Sequence, residues 1–205
     1  MKIDPATLSA DAQYYWQIAT ILPRPIAWVS TLNDDASTNL APFSFFTGVS
    51  SNPPTCLICV SRQGNGCKKD TWTNVERTGE LVIHVVTDAL AEKMNITSRA
   101  FPYGVDEIAE AGLTKIACEK VAVPRIAESP VAMECKLDRI VEVGRAGDGT
   151  AVIIAEILLW HVDDAVVGEN GRVDLGKLDA VGRLAGASYV RTRDRFDLIR
   201  PPKVG

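Results

Sequence analysis

Aromatic residues are scarce in this sequence, with four Trp, four Tyr and five Phe among 205 positions, and there are only two histidines, His84 and His161. A basic excess is also missing, the net charge being −4. That balance excludes a nucleic-acid partner, because neutralising phosphates needs a basic face. No apolar run reaches the ~20 residues of a membrane span, and the longest candidate, TAVIIAEILLW, is broken by Glu156. No membrane partner is expected. The opening MKIDPATLSADAQYYWQ lacks the basic start, apolar stretch and small-residue cleavage site of a secretory signal, so a cytoplasmic location is the expectation. The five cysteines, Cys56, Cys59, Cys67, Cys118 and Cys135, are odd in number and irregularly spaced, which excludes a disulfide framework. Cys56 and Cys59 fall in TCLICVS, a strand-like run in which residues three apart face opposite ways, so they read as buried thiols rather than a redox or zinc pair. Both histidines lie in strand-like runs, and no metal-ligand cluster is expected. A G-x-G-x-x-G dinucleotide fingerprint, internal repeats and linkers are all lacking.

Hydrophobic residues make up 46% and charged residues 23% of the chain, enough for one compact domain over residues 1–205 with a full core. The apolar content is mostly Val, Ile, Leu and Ala in short runs, which predicts a β-rich fold. DAQYYWQIATILP reads as a helix capped by Ser9 or Asp11 and stopped by Pro23. Residues 26–32 and 37–49 should pair as a hairpin around Asn33-Asp34-Asp35, the second arm interrupted at Ala41-Pro42. KKDTWTNVERTG reads as a helix closed by Gly79, ELVIHVVT as a strand, and ALAEKMNITSRAF and VDEIAEAG as helical pieces. MECKLDRIVEVG and TAVIIAEILLWHVDDAVV should form a long central pair around GRAGDG, and LDAVGRLAGASYV a short helix or irregular turn. Long strands in a chain of this size favour a closed barrel over an open sheet with exposed edges. The locally basic tail from Arg183 to Lys203 reads as a solvated face.

Chemistry concentrates between Arg24 and Thr71. Ser61 and Arg62 close a strand, a Gly-containing loop follows, and Lys68-Lys69-Asp70-Thr71 opens a helix. Hydroxyls, cations and free backbone N–H groups thereby converge where a helix N-terminus favours an anion, and a phosphate monoester fits such a point. Taken alone, the segment reads more readily as a helix capped by Asp70 or Thr71 with solvated lysines. In NLAPFSFF, Asn39 and a proline-broken backbone precede Ser44, Phe45 and Phe46, a mixture suited to a flat heteroaromatic ring with a hydrogen-bonding edge. At least one of Phe43, Phe45 and Phe46 belongs to the ordinary core, because alternation sends neighbours to opposite faces.

RPIAWVST, NLAPFSFF, S-x-x-P-P, a strand ending in Ser-Arg, and KDTWTN followed by TGELVIHV, in that order and spacing, resemble the flavin reductase-like family of FMN-binding split barrels. The likeness continues through SPVAMEC, WHVDDAVV and VGRLAGASYVR and covers nearly the whole chain. The resemblance implies a mainly β fold with peripheral helices, a six-stranded antiparallel split barrel, commonly a homodimer with FMN near the subunit interface. It maps the ring-facing segment to Asn39, Ala41, Pro42, Ser44 and Phe45, and the phosphate and ribityl contacts to Ser61, Arg62, Lys69, Asp70 and Thr71. Lys and Arg suit a phosphate carrying nearly two negative charges, whereas Asp70 would repel it. Asp70 is therefore expected to orient a lysine, cap the helix or reach the ribityl hydroxyls.

With FMN as cofactor, hydride transfer is flavin chemistry and no catalytic side chain is assigned; His84, His161 and Tyr103 are candidates, the histidines reading as structural. The implied activity is an NAD(P)H-dependent flavin reductase, with NADH or NADPH as hydride donor and free flavin, a partner oxygenase or another electron acceptor downstream. The alternatives are a flavoredoxin-type electron carrier without its own nicotinamide activity and a barrel that has lost flavin and serves as a binding module. Turnover with NADH and loss of flavin on dilution mark the reductase; tight flavin without turnover marks the carrier; a protein that stays colourless with added FMN marks the module.

Overall fold

A computed structural model describes residues 1–145 and 148–202. The tip of the expected GRAGDG turn, at 146–147, and the end of the tail, at 203–205, lie outside the described residues. In chain order the elements are α1 (Ala10–Thr20), β1 (Arg24–Pro25), β2 (Ala27–Leu32), β3 (Thr38–Phe43), β4 (Phe46–Ser51), β5 (Pro54–Ser61), α2 (Asp70–Thr78), β6 (Glu80–Val85), α3 (Ala91–Ile96), α4 (Glu107–Glu110), β7 (Lys115–Ile116), β8 (Arg125–Ile126), β9 (Val131–Val143), β10 (Thr150–Val162), α5 (Leu175–Leu178), β11 (Val181–Arg183) and β12 (Tyr189–Arg191). Ser9 caps α1, its Oγ accepting from Ala12 N at 3.3 Å, and Gly79 ends α2 in the left-handed conformation that glycine adopts without strain.

The main sheet has seven strands in the order β3-β2-β6-β9-β10-β5-β4, every described pairing antiparallel, where six strands closed into a barrel were expected. Its end strands, β3 and β4, do not hydrogen-bond to each other. They are nevertheless consecutive in the chain, separated by Ser44 and Phe45 alone. A flat sheet of this order would hold its ends roughly 29 Å apart at ~4.8 Å per strand. Two connecting residues span about 10 Å at most. The sheet must therefore curl until its ends meet at the Ser44–Phe45 corner, and β3 packs beside β5 there. The result is a split-barrel-like arrangement, curled and unzipped along one seam.

The expected interruption of the second hairpin arm falls at Ser44–Phe45, three residues later than Ala41-Pro42. β3 runs through both to Phe43, with Pro42 opposite Trp28. Its position at the edge explains this: the Leu40 N–H points away from β2, to Glu107, and strand alternation puts the missing donor of Pro42 on the same outer side. The expected irregular segment after α5 instead supplies β11 and β12, which pair with β1 in a separate three-stranded sheet.

Alternate residues of the strands fill the inside of the curl, among them Val29, Ile58, Val60, Ile83, Ile153 and Cys135, and α2 closes it with Trp72 and Val75. A second core forms on the other face of β2 and β3, where Trp28 and Leu40 pack with Met94, Ile108 and Leu113 from the α3–α4 region. β2 and β3 are thus covered on both faces, and Asn39 and Thr71 are buried where the helices meet the sheet.

Candidate functional site

The seam is bounded by β3, the loop after β5, the start of α2 and the segment between α3 and α4. There lies a cavity of about 530 Å³, within the range of small-molecule sites. From the sequence-derived set, Asn39, Ala41, Pro42, Arg62, Lys69, Asp70 and Thr71 line it. The two halves of that set are joined directly: Asn39 Nδ2 donates to Thr71 Oγ1 at 2.9 Å and to Thr31 Oγ1 at 3.1 Å. Asn39 spends its donor on tying β3 to α2, which leaves the backbone of β3 to face a ligand.

Ser44, Phe45 and Ser61 are not in the cavity lining. Ser44 Oγ accepts from Arg24 Nε at 3.3 Å, and the Arg24 guanidinium lies 5.8 Å from the Phe45 ring centroid. Both residues form the corner of the sheet. Ser61 Oγ is 3.1 Å from Thr150 Oγ1 on β10. Phe43 belongs to the buried core and Phe46 packs against it.

The start of α2 is built for an anion. Its N-cap is Lys69, with no side-chain hydrogen bond to the first turn, so neither Asp70 nor Thr71 caps the helix. The first-turn N–H groups of an α-helix have no intrahelical partner and carry the positive end of its dipole. Lys69 itself is exposed at the cavity mouth, and among the described residues it has no ion-pair partner. Partial desolvation by the surrounding cavity wall pulls its pKa below the ordinary lysine value, and burial raises that of Asp70. Arg62 is pre-positioned rather than free. It pairs with Glu142 at 2.7 Å, donates to Gly66 O at 3.1 Å and stacks 4.8 Å over the Trp72 ring. Lys68 turns away to Glu76 at 2.6 Å.

Gln63, Gly64 and Asn65 of the Gly-containing loop also line the cavity, and a second stretch, Thr97, Ser98, Arg99, Ala100, Phe101 and Glu107, was missed by sequence reasoning. The second stretch sits in NITSRAFPYGVDE, read only as helix ends. Its signal was an arginine beside two hydroxyl residues, followed by an Asp-Glu pair opening a helix.

The histidines behave as the sequence suggested. His84 is fully buried, its Nε2 accepting from Ile126 N at 3.0 Å, so that Nδ1 donates to Trp28 O at 2.8 Å. Burial lowers its pKa to about 4, which keeps the ring neutral. His161 bonds Glu134 at 2.5 Å. With Cys118 these two bring potential ligand atoms within 4.8 Å of one another, a grouping not foreseen from the sequence. The Glu134 carboxylate, however, already accepts from the N–H groups of Glu119, Lys120 and Val121 as well as from His161. Such saturation suits a structural anchor rather than a metal ligand. Tyr103 donates to Asp34 Oδ1 at 2.6 Å and does not line the cavity.

A hollow of similar size, about 550 Å³, runs along α1, lined by Ile3, Leu8, Tyr14 and Trp16 among others; among the described residues Asp148 is its only charged side chain. It offers no cation to an anionic ligand. Among the described residues no helix is long and apolar enough to cross a membrane.

Residues 19–176 match the family described as the flavin reductase like domain. A protein of Halalkalibacterium halodurans is 37% identical over 203 residues, 98% of this chain and 97% of its own length. The nitrilotriacetate monooxygenase component B of Bacillus cereus superposes with a TM-score of 0.93 at 30% identity, over 97% of this chain and 98% of the other. The 2-nitrobenzoate 2-nitroreductase of Pseudomonas fluorescens superposes with a TM-score of 0.86 at 29% identity over the whole of both chains.

Proposed function

The chain belongs to the flavin reductase-like family, and on that premise we propose that it binds FMN in the seam cavity and works as an NAD(P)H-dependent flavin reductase. The observation that carries this reading is the uncapped start of α2 beside a cavity-lining lysine without an ion-pair partner among the described residues, opening onto the same cavity as the edge of β3. In this reading Lys69, Arg62 and the first amides of α2 hold the phosphate, a dianion at neutral pH that such groups favour. The Ala41–Pro42 backbone faces the ring, while Asn39 and Thr71 lock the ring side to the phosphate side. Asp70 serves the ribityl hydroxyls, since a carboxylate against the phosphate would oppose binding.

Bound FMN supplies the hydride chemistry, taking a hydride from NADH or NADPH and passing electrons onward. The protein contributes a fixed orientation and a wall that limits water around the ring. The monooxygenase-component relative supports delivery of reduced flavin to a partner oxygenase, and the nitroreductase relative supports electron transfer to a small aromatic acceptor. A cytoplasmic homodimer completes the reading. Trp16 on α1 and Val143 and Trp160 on the β9–β10 hairpin are exposed apolar side chains that a second copy would cover.

The test is to purify the protein, record its absorption spectrum, identify released cofactor by mass, and follow oxidation of NADH and NADPH with and without added FMN. Yellow protein releasing FMN, with nicotinamide oxidation, is expected. A colourless protein that binds no added FMN contradicts the reading, and tight FMN without nicotinamide oxidation replaces it with the electron carrier.

A further inference from the structure

Glu107 is the more deeply buried of the two acids in the cavity wall. It is the first residue of α4, only 6% exposed, and its Oε2 accepts from Leu40 N on the outer edge of β3 at 3.0 Å. Its neighbour Asp106 grips the same edge one step earlier, accepting from Thr38 Oγ1 at 2.6 Å. The two adjacent carboxyls occupy different electrostatic situations. Asp106 is neutralised by Lys115, which together with its hydrogen bonds holds it below the ordinary carboxylate range. Glu107 has no cation paired to it among the described residues, and two acids face it, Asp106 on its own helix and Asp70 at the start of α2. The positive groups of the cavity, Lys69 from α2, Arg62 after β5 and Arg99 after α3, line it without forming an ion pair with Glu107.

A buried carboxyl beside two carboxylates and without a counter-charge favours its neutral form. Burial is the largest cause here, and it raises the pKa of Glu107 to about 7 against the opposing Leu40 N–H. In that form one oxygen serves the Leu40 N–H and the other carries a hydrogen that the cavity-lining carboxyl can donate. An ionised carboxyl could only accept.

We propose that Glu107 is a proton-holding ligand group of this cavity, presenting an O–H donor to a carbonyl or ring-nitrogen acceptor of the bound heterocycle and losing that contact when it ionises. The inference rests on the flavin reading above and deepens it. It assigns ring recognition to an acid whose charge opposes binding, and it ties occupancy of the cavity to proton uptake. The acceptor belongs to the ring and not to the phosphate, so FMN and riboflavin share the dependence. Lys69, by contrast, distinguishes them.

Riboflavin is the cleaner probe, because it lacks a phosphate that titrates near neutrality. Its dissociation constant, read by flavin fluorescence from about pH 6 to about pH 9, should rise above the Glu107 midpoint by up to about tenfold per pH unit. For Glu107→Gln, whose amide keeps both an acceptor for Leu40 N–H and a donor for the ring, the constant should stay level over that range and near the low-pH value of the unsubstituted protein. Coincident pH profiles for the two proteins overturn this inference and leave the flavin reading standing. Failure of the unsubstituted protein to bind either flavin at any pH overturns both. If Glu107→Gln does not fold, carbon-13 carboxyl titration of the unsubstituted protein decides the matter. A buried glutamate titrating near neutrality and shifting upward with riboflavin supports the inference, and all glutamates titrating in the ordinary range overturns it.

Discussion

Two regions of this protein bury ionisable groups, and they do so in opposite ways. At the outer face of β9 and β10, Glu134 is wholly buried and accepts from three backbone N–H groups and His161. At the seam, Glu107 is buried facing two acids and no paired cation among the described residues, α2 begins without a side-chain cap, and the exposed Lys69 beside it has no ion-pair partner among them. A polar group buried with all its partners is structural, because nothing remains for a ligand to satisfy. A polar group buried without them carries a cost that a ligand can relieve. The difference supports the seam as the proposed binding end of the fold without reference to any relative.

The largest effect that sharpens this contrast is expected at Glu134. Glu134→Ala strands three N–H groups and His161, and it should cost about 3–5 kcal/mol in denaturant unfolding. Flavin affinity of the fraction that stays folded should be little changed. A loss below about 1 kcal/mol would break the distinction.

His84 gives the next effect, through pH. Its folded-state pKa of about 4 lies below the ordinary 6.5, so the unfolded chain binds more protons between those values. The stability held above about pH 6.5 should fall as pH drops through 4, by about 3 kcal/mol in full. Glu134, held down to about 2, adds its loss at still lower pH. Glu107 has the reverse sign: a carboxyl raised to about 7 from 4.5 contributes stability at low pH that disappears as pH rises through 7. The two windows overlap between about pH 4.5 and 6.5 with opposite signs, so urea midpoints of the unsubstituted protein should be nearly level there, and Glu107→Gln should uncover the His84 slope.

Asn39 belongs to both regimes, being a buried, satisfied side chain that joins the two halves of the cavity. Asn39→Ala should cost about 1–3 kcal/mol of stability and weaken FMN by loosening β3 from α2, seen as parallel losses in unfolding and fluorescence titrations. The smallest effect is expected at Ser61, which bonds Thr150 on the neighbouring strand. Ser61→Ala should stay within about 0.5 kcal/mol and leave FMN affinity nearly unchanged.

Much of this was legible in the sequence, for identifiable reasons. The Ser9 cap, the Gly79 stop and the long β9–β10 pair follow from local chemistry, and local chemistry is what a sequence states. The order of the strands is not local. The fact that β3 and β4 stand at opposite ends of one sheet emerges only when every pairing is known, and it is this that creates the seam. That Arg62, Lys69, Asp70 and Thr71 share one cavity was legible because they are close in sequence. Glu107 and Arg99 were not, because long-range packing brings the α3–α4 segment to β3, and an Asp-Glu pair at a helix start reads equally as a cap. Ser61 was misleading because its place in a Ser-Arg strand end does not say which way its side chain turns.

The central claim is that the seam holds FMN by its phosphate at the start of α2. Titration of the unsubstituted protein and of Lys69→Ala with FMN and riboflavin, followed by flavin fluorescence, tests it most directly. The account predicts that the substitution weakens FMN by roughly 10- to 100-fold, the worth of a charge-assisted contact, while riboflavin changes by less than about twofold. Equal weakening of both flavins, or no change in either, would contradict it.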